Sequence, residues 1–106
     1  MARVLLNVPK TVARGEPIEI RVLISHPMES GQRRGDDGRQ VPRQIIHSFN
    51  CTYNGAEVVS LALHPAIAAN PYFAFAATAE ASGAIVLTWT DDAGVTQTET
   101  ALIVVT

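Results

Sequence analysis

Asn54-Gly55 joins two segments whose side chains alternate between apolar and polar. A two-residue link of this kind wants positive φ at both positions, which selects a primed turn and folds the flanking segments back on each other as an antiparallel hairpin. Before the turn, Gln44 to Tyr53 places Ile45, Phe49, Cys51 and Tyr53 on one face; after it, Ala56 to Leu63 returns. The same period of two is clear from Pro17 onward. Ile18, Ile20, Val22 and Ile24 share one face and Glu19, Arg21 and Ser25 the other, interrupted only by Leu23. Strands of this kind must bury one face against a second layer.

The rest of the chain fits that frame. Arg3 to Val8 reads as a first strand closed by Pro9, and Thr11 to Glu16 as a turn made with Gly15. Two prolines between His64 and Pro71 rule out a long helix in that crossing but leave room for one short turn. Tyr72 to Glu80 alternates through Phe73, Phe75 and Ala77, while its alanines keep a helix as the competing reading. Ser82-Gly83 turns the chain into Ala84 to Thr90, with Ile85, Leu87 and Trp89 on one face. Asp91-Asp92-Ala93-Gly94 turns it again into Val95 to Val105. About seven short strands with frequent turns predict an all-β sandwich of two antiparallel sheets, in one domain spanning residues 1–106.

A chain of 106 residues buries roughly 65% of its unfolded surface, enough for a core without staples. The lone cysteine, Cys51, forbids an intrachain disulfide. A net charge of −2, with Lys10 the single lysine, gives little attraction to nucleic acid or a membrane surface. The apolar run within Met1 to Asn7 is too short for an export signal or a spanning helix.

Between the strands ending at Ile24 and beginning near Ile46 lies a long polar crossing. From His26 to Arg43 it holds four arginines against three carboxylates, whereas the rest of the chain has four basic residues against seven acidic ones. Pro27 fixes the backbone at its start and Met28 gains by being covered, so its ends are expected to be fixed and its middle, Arg34 to Gly38, mobile. Arg33, Arg34, Arg39 and Arg43, with Met28, His26 and His64, suit an acidic partner or a small anion, the alternative being a solvated loop face.

Catalytic readings find less support. A metal-dependent redox site would draw on His26, His47, His64 or Cys51, but His47 and Cys51 fall on one strand face about 13 Å apart at about 3.3 Å per residue, too far to share a metal. Ser25 and His26 are adjacent in a strand and point to opposite faces, which spoils a nucleophile and base pair. Asp91 and Asp92 precede Ala93-Gly94, where aspartate caps turns. Cys51 reads as a small buried hydrophobe on the face of Phe49, with a reactive or partner-linking thiol as the alternative. Arg34-Gly35-Asp36 matches a cell-adhesion tripeptide, a match too short to carry weight.

Five blocks carry a more specific signal. They are Ile24 to Arg33, Pro42-Arg43-x-Ile45-Ile46, Phe49-x-Cys51-Thr52-Tyr53-Asn54-Gly55, His64-Pro65-Ala66-Ile67-x-Ala69-Asn70-Pro71-Tyr72, and Thr88-Trp89-Thr90-Asp91-Asp92. In this order and spacing the chain resembles the SoxZ family, the small subunits of SoxYZ carrier complexes in bacterial thiosulfate oxidation. The resemblance implies an immunoglobulin-like sandwich with no cofactor and no catalysis of its own. It also implies a heterodimer with SoxY, which bears the sulfur on a C-terminal cysteine arm, transient contacts with the Sox enzymes, and a periplasmic location reached by co-export with SoxY. Ile103 to Thr106 shows no such arm, and Cys51, inside a strand, is not its equivalent. The surface expected to meet partners comprises His26, Met28, Arg33 and Arg43 of the crossing together with Ile67, Tyr72, Phe73 and Phe75.

Overall fold

Period-two burial runs through the longest strands of the computed structural model, which describes residues 3–65 and 67–106. Met1 and Ala2 of the N-terminal run, and Ala66 of the crossing between the two prolines, lie outside the described residues. Eight strands form: β1 (Val4–Asn7), β2 (Thr11–Val12), β3 (Pro17–Ile24), β4 (Ile46–Tyr53), β5 (Ala56–Ala62), β6 (Tyr72–Thr78), β7 (Gly83–Asp91) and β8 (Thr96–Val105). They assemble into a three-stranded sheet, β1-β3-β6, and a five-stranded sheet, β2-β8-β7-β4-β5, the all-β sandwich of immunoglobulin-like type. The eighth strand is β2, whose two residues pair parallel to the end of β8 within a stretch expected to be only a turn. Every other named pairing is antiparallel.

Alternation decides which face is inside. In β3, Ile18, Ile20, Val22 and Ile24 are all 0% exposed. Burying side chains of this size stabilises by about 1.5–3 kcal/mol each. Ile85, Leu87 and Trp89 of β7 and Phe49, Cys51 and Tyr53 of β4 face them from the other sheet. The layers meet at an aromatic cluster, in which Phe49 stacks on Phe73 with ring centroids 4.4 Å apart and meets Phe75 edge-on at 6.1 Å. Trp89 lies beyond at 6.3 Å.

Asn54 and Gly55 have φ of 49° and 84°, as a primed hairpin turn requires. The Asn54 side chain then reaches across to the β6–β7 turn, where its Oδ1 accepts from Ala84 N at 3.1 Å. A Cβ on Gly83 would collide with it, which is why that position is glycine. Tyr72 to Thr78 is a strand and not a helix, because its alternating Phe73 and Phe75 have a core to enter.

In β4 the register with β7 shifts between Ile46 and Ser48. This bulge moves the buried parity from Ile46 to Phe49, and it places His47 outside while Cys51 stays inside. His47 and Cys51 therefore lie on opposite faces, contrary to the expectation from uninterrupted alternation.

Candidate interaction surface

The polar crossing folds back on itself as a narrow ribbon. Glu29 and Gln44 exchange both backbone hydrogen bonds at 2.8 Å, Val41 N donates to Arg33 O at 2.8 Å, and Gly35 N donates to Arg39 O at 2.8 Å. The middle, expected to be mobile, is this hydrogen-bonded hairpin tip, in which Asp37 Oδ1 also accepts from Arg39 N at 2.9 Å. Arg34 donates from Nη1 to Gly38 O at 3.0 Å, and two other arginines are paired with carboxylates. Arg33 donates from Nε and Nη2 to Glu29 Oε1 at 2.9 and 2.6 Å. Arg43 forms a two-pronged pair with Asp92, Nε to Oδ2 and Nη2 to Oδ1, both at 2.8 Å.

Asp92 is more than a turn residue. It also accepts from Ile45 N at 3.1 Å, and its own N–H donates to Ile45 O at 2.9 Å, so it ties the end of the crossing to the β7–β8 turn. The Arg43 hydrogen bonds hold its carboxyl below the ordinary value of 3.8, opposed by desolvation and aided by the Ile45 amide, the Arg43 charge and His47. A depressed carboxylate stabilises the fold above its unfolded-state pKa, and that contribution is lost as the pH falls through the folded-state value. Asp92→Asn should therefore lower the denaturation midpoint by a constant amount from pH 7 down to about pH 4. Below that the gap to wild type should close, and urea melts across pH 2.5–7 measure it. A gap that stays the same at pH 2.5 would show that the charge on Asp92 contributes nothing.

Its neighbour Asp91 does cap the turn, with Oδ1 accepting from Ala93 N and Val95 N, both at 3.0 Å. Behind it sits His26, 8% exposed and with Nε2 3.7 Å from Asp91 Oδ2. His26 Nδ1 accepts from Met28 N at 3.0 Å, which holds Met28 at φ 50°, a costly conformation for a side chain of this size. Asn70 completes the clamp: its Oδ1 accepts from His26 N at 3.0 Å and its N–H donates to His26 O at 2.8 Å. Met28 thereby enters the core, and its Sδ accepts from Ile46 N at 3.3 Å. The imidazole is thus a structural latch. Ser25 is exposed on the opposite side.

The surface expected from the sequence is consequently redistributed. His26 and Met28 are buried and Arg33 and Arg43 are paired within the chain. Phe73 and Phe75 point inward to Phe49, half-buried, and are not an outer apolar face. The parity of β6 that buries the two phenylalanines turns Tyr72 outward, and Tyr72 and Ile67 remain exposed. What residue reading missed is the company Tyr72 keeps. Leu5 pairs with Leu23 across β1 and β3, and Leu23 with Tyr72 across β3 and β6, so three exposed apolar side chains form one row over the outer face of the small sheet. The signal was Leu23, the one apolar residue on the polar face of β3.

Among the described residues, no group of three or more His, Cys, Asp or Glu side chains is placed to hold a metal ion. Cys51 is fully buried, and burial pushes its thiol up to about 11. No described helix is long and apolar enough to cross a membrane.

Comparison with solved structures finds the same architecture in two functional settings. The superoxide reductase (neelaredoxin) of Ignicoccus hospitalis aligns with 99% of this chain and 82% of its own, at 17% identity and a TM-score of 0.73. The sulfur carrier protein SoxY of Chlorobium limicola f thiosulfatophilum aligns with 97% of this chain and 78% of its own, at 12% identity and a TM-score of 0.67. At such identities both likenesses are of fold alone. No curated protein matches the chain. The family model described as sulphur oxidation protein SoxZ matches residues 6–102, and the chain belongs to the SoxZ family.

Proposed function

We propose that the protein is the non-catalytic subunit of a sulfur-carrier complex, binding a SoxY chain whose cysteine holds the sulfur intermediate and helping to present it to the pathway's enzymes. The observation that carries this reading is the SoxZ-family match over residues 6–102. The state of the one thiol supports it: Cys51 is sealed in the core and held protonated near neutral pH, unsuited to attack or to carry an exposed adduct. In this reading the complex works in the periplasm, and the subunit arrives there bound to an exported SoxY.

Co-expression with the SoxY chain of the same source should give a one-to-one complex on size exclusion. After incubation with the loading enzymes and thiosulfate, intact-mass spectra should place the sulfur adduct on SoxY, with Cys51 unmodified. Separate elution of the two chains would overturn the proposal. So would stoichiometric iron or copper in the purified protein together with turnover in the absence of SoxY.

A further inference from the structure

The row Leu5–Leu23–Tyr72 crosses all three strands of the small sheet at one register position, with exposures of 65, 36 and 58%. Shallow hollows flank it. One of about 370 Å³ is bordered by Asn7 and Arg21, the other of about 140 Å³ by Arg3, Ser25 and Asn70. The row thus lies between two arginines. Arg21 has only an exposed contact with Glu19 at 3.4 Å, the kind of pair that contributes little, and Arg3 makes no ion pair among the described residues.

A second observation falls on the same side. Exposed sheet edges are normally blunted by shortness, charge, proline or a bulge. Strand β1 has four residues, β2 has two and pairs with only the last two residues of β8, whose uncovered length carries Glu99, and β5 carries Glu57 and sits against a bulge between Cys51 and Thr52. Strand β6 has none of these protections. Its seven residues, Tyr72 to Thr78, include no charge and no proline, and its register with β3 is unbroken from Pro17 to Leu23. Its outward positions after Tyr72 are Ala74, Ala76 and Thr78, small and uncharged side chains.

We propose that the β6 side of the small sheet is where the protein partner seats. The partner contributes an extended segment alongside β6, apolar side chains over Leu23 and Tyr72, and carboxylates facing Arg3 and Arg21. Main-chain pairing would supply affinity and the arginine-flanked row would supply selection. A second copy of this chain fits less well, because two such faces would bring four arginines together against two copies of Glu19. Exposed Leu102 and Val104 offer the main competing apolar surface, but they lie along one strand and face Ala84 and Thr11, without an apolar row across the sheet.

This inference rests on the carrier-complex reading, and the test separates the two. Wild type, Tyr72→Asp, Leu23→Thr and, on the other sheet, Leu102→Asp are titrated with the purified SoxY chain after their melting curves establish that each is folded. Tyr72→Asp is expected to weaken binding at least 30-fold and Leu23→Thr at least 5-fold, with Leu102→Asp within 3-fold of wild type. Amides of residues 72–78 should exchange more slowly in the complex. Wild type that fails to bind sinks the carrier reading itself. Binding that ignores Tyr72→Asp, or that Leu102→Asp abolishes, overturns only the placement. Wild type that dimerises alone, through an interface that Tyr72→Asp disrupts, would identify a second copy as the occupant and overturn it too.

Discussion

Phe49→Ala is expected to cost about 3–5 kcal/mol of folding stability, the range for removing a buried aromatic from a packed interior. The ring is 1% exposed and is the point where the sheets touch, stacked on Phe73, edge-on to Phe75 and near Trp89. Partners on β6 and β7 cannot both move in to fill the space, because β3 and β8 hold them in register. Aromatic contacts add about 0.5–1.5 kcal/mol beyond burial, so Phe49→Leu, which keeps most of the volume, isolates that part. Urea unfolding followed by Trp89 fluorescence gives both numbers. A loss below about 1 kcal/mol for the alanine variant would mean that the sheets do not meet through this ring. For a protein whose stability is about 5–15 kcal/mol, the expected loss would deplete the folded form available to any partner.

The second large effect is expected from a single oxygen. The Tyr53 hydroxyl accepts from Glu80 N at 3.1 Å and Ala81 N at 3.0 Å and donates to Ala81 O, pinning the chain between β6 and β7 to the end of β4. Tyr53→Phe keeps the ring but leaves two amides and a carbonyl without this partner. The cost for groups left unpaired is about 1–3 kcal/mol where water cannot replace them. The same variant should speed amide exchange at Glu80 and Ala81 more than at Ile20 in the middle of β3. Uniform acceleration would mean that the hydroxyl supports global stability only and does not clamp this corner.

The strands were legible where one face is fully buried and nothing interrupts the count. β3 and the Asn54-Gly55 hairpin follow from residue order, because a slip of one position would turn Ile18, Ile20, Val22 and Ile24 to solvent. Strand β2 was not legible: two residues have no periodicity, and they are a strand only because β8 passes beside them. The bulge at His47 was hidden for a related reason, since an unpaired residue is accommodated by the neighbouring strand and leaves no local mark. In the long crossing, composition showed four arginines but not that Glu29 and Asp92 take up two of them. Those pairings depend on which backbone segments come together, as Asp92 meets Arg43 across 49 positions.

The candidate surface shows the same division. Tyr72 and Phe73 are both expected from the sequence to meet partners, although adjacent strand residues point in opposite directions and only one can be outside. Parity alone would have separated them. The link from Leu5 to Leu23 to Tyr72 needed the strand order β1-β3-β6, which no local pattern contains.

The molecule measures 57 Å along its longest axis but only 21 and 19 Å across. Facing sheets stand about 10 Å apart, so such a cross-section has room for one shared layer of interior side chains and no deeper shelter behind it. A body resting on either broad side is then separated from that layer by the thickness of one sheet. A body docked there would also press on the interior, so that a contact made on the outer face would stiffen the slender fold beneath it.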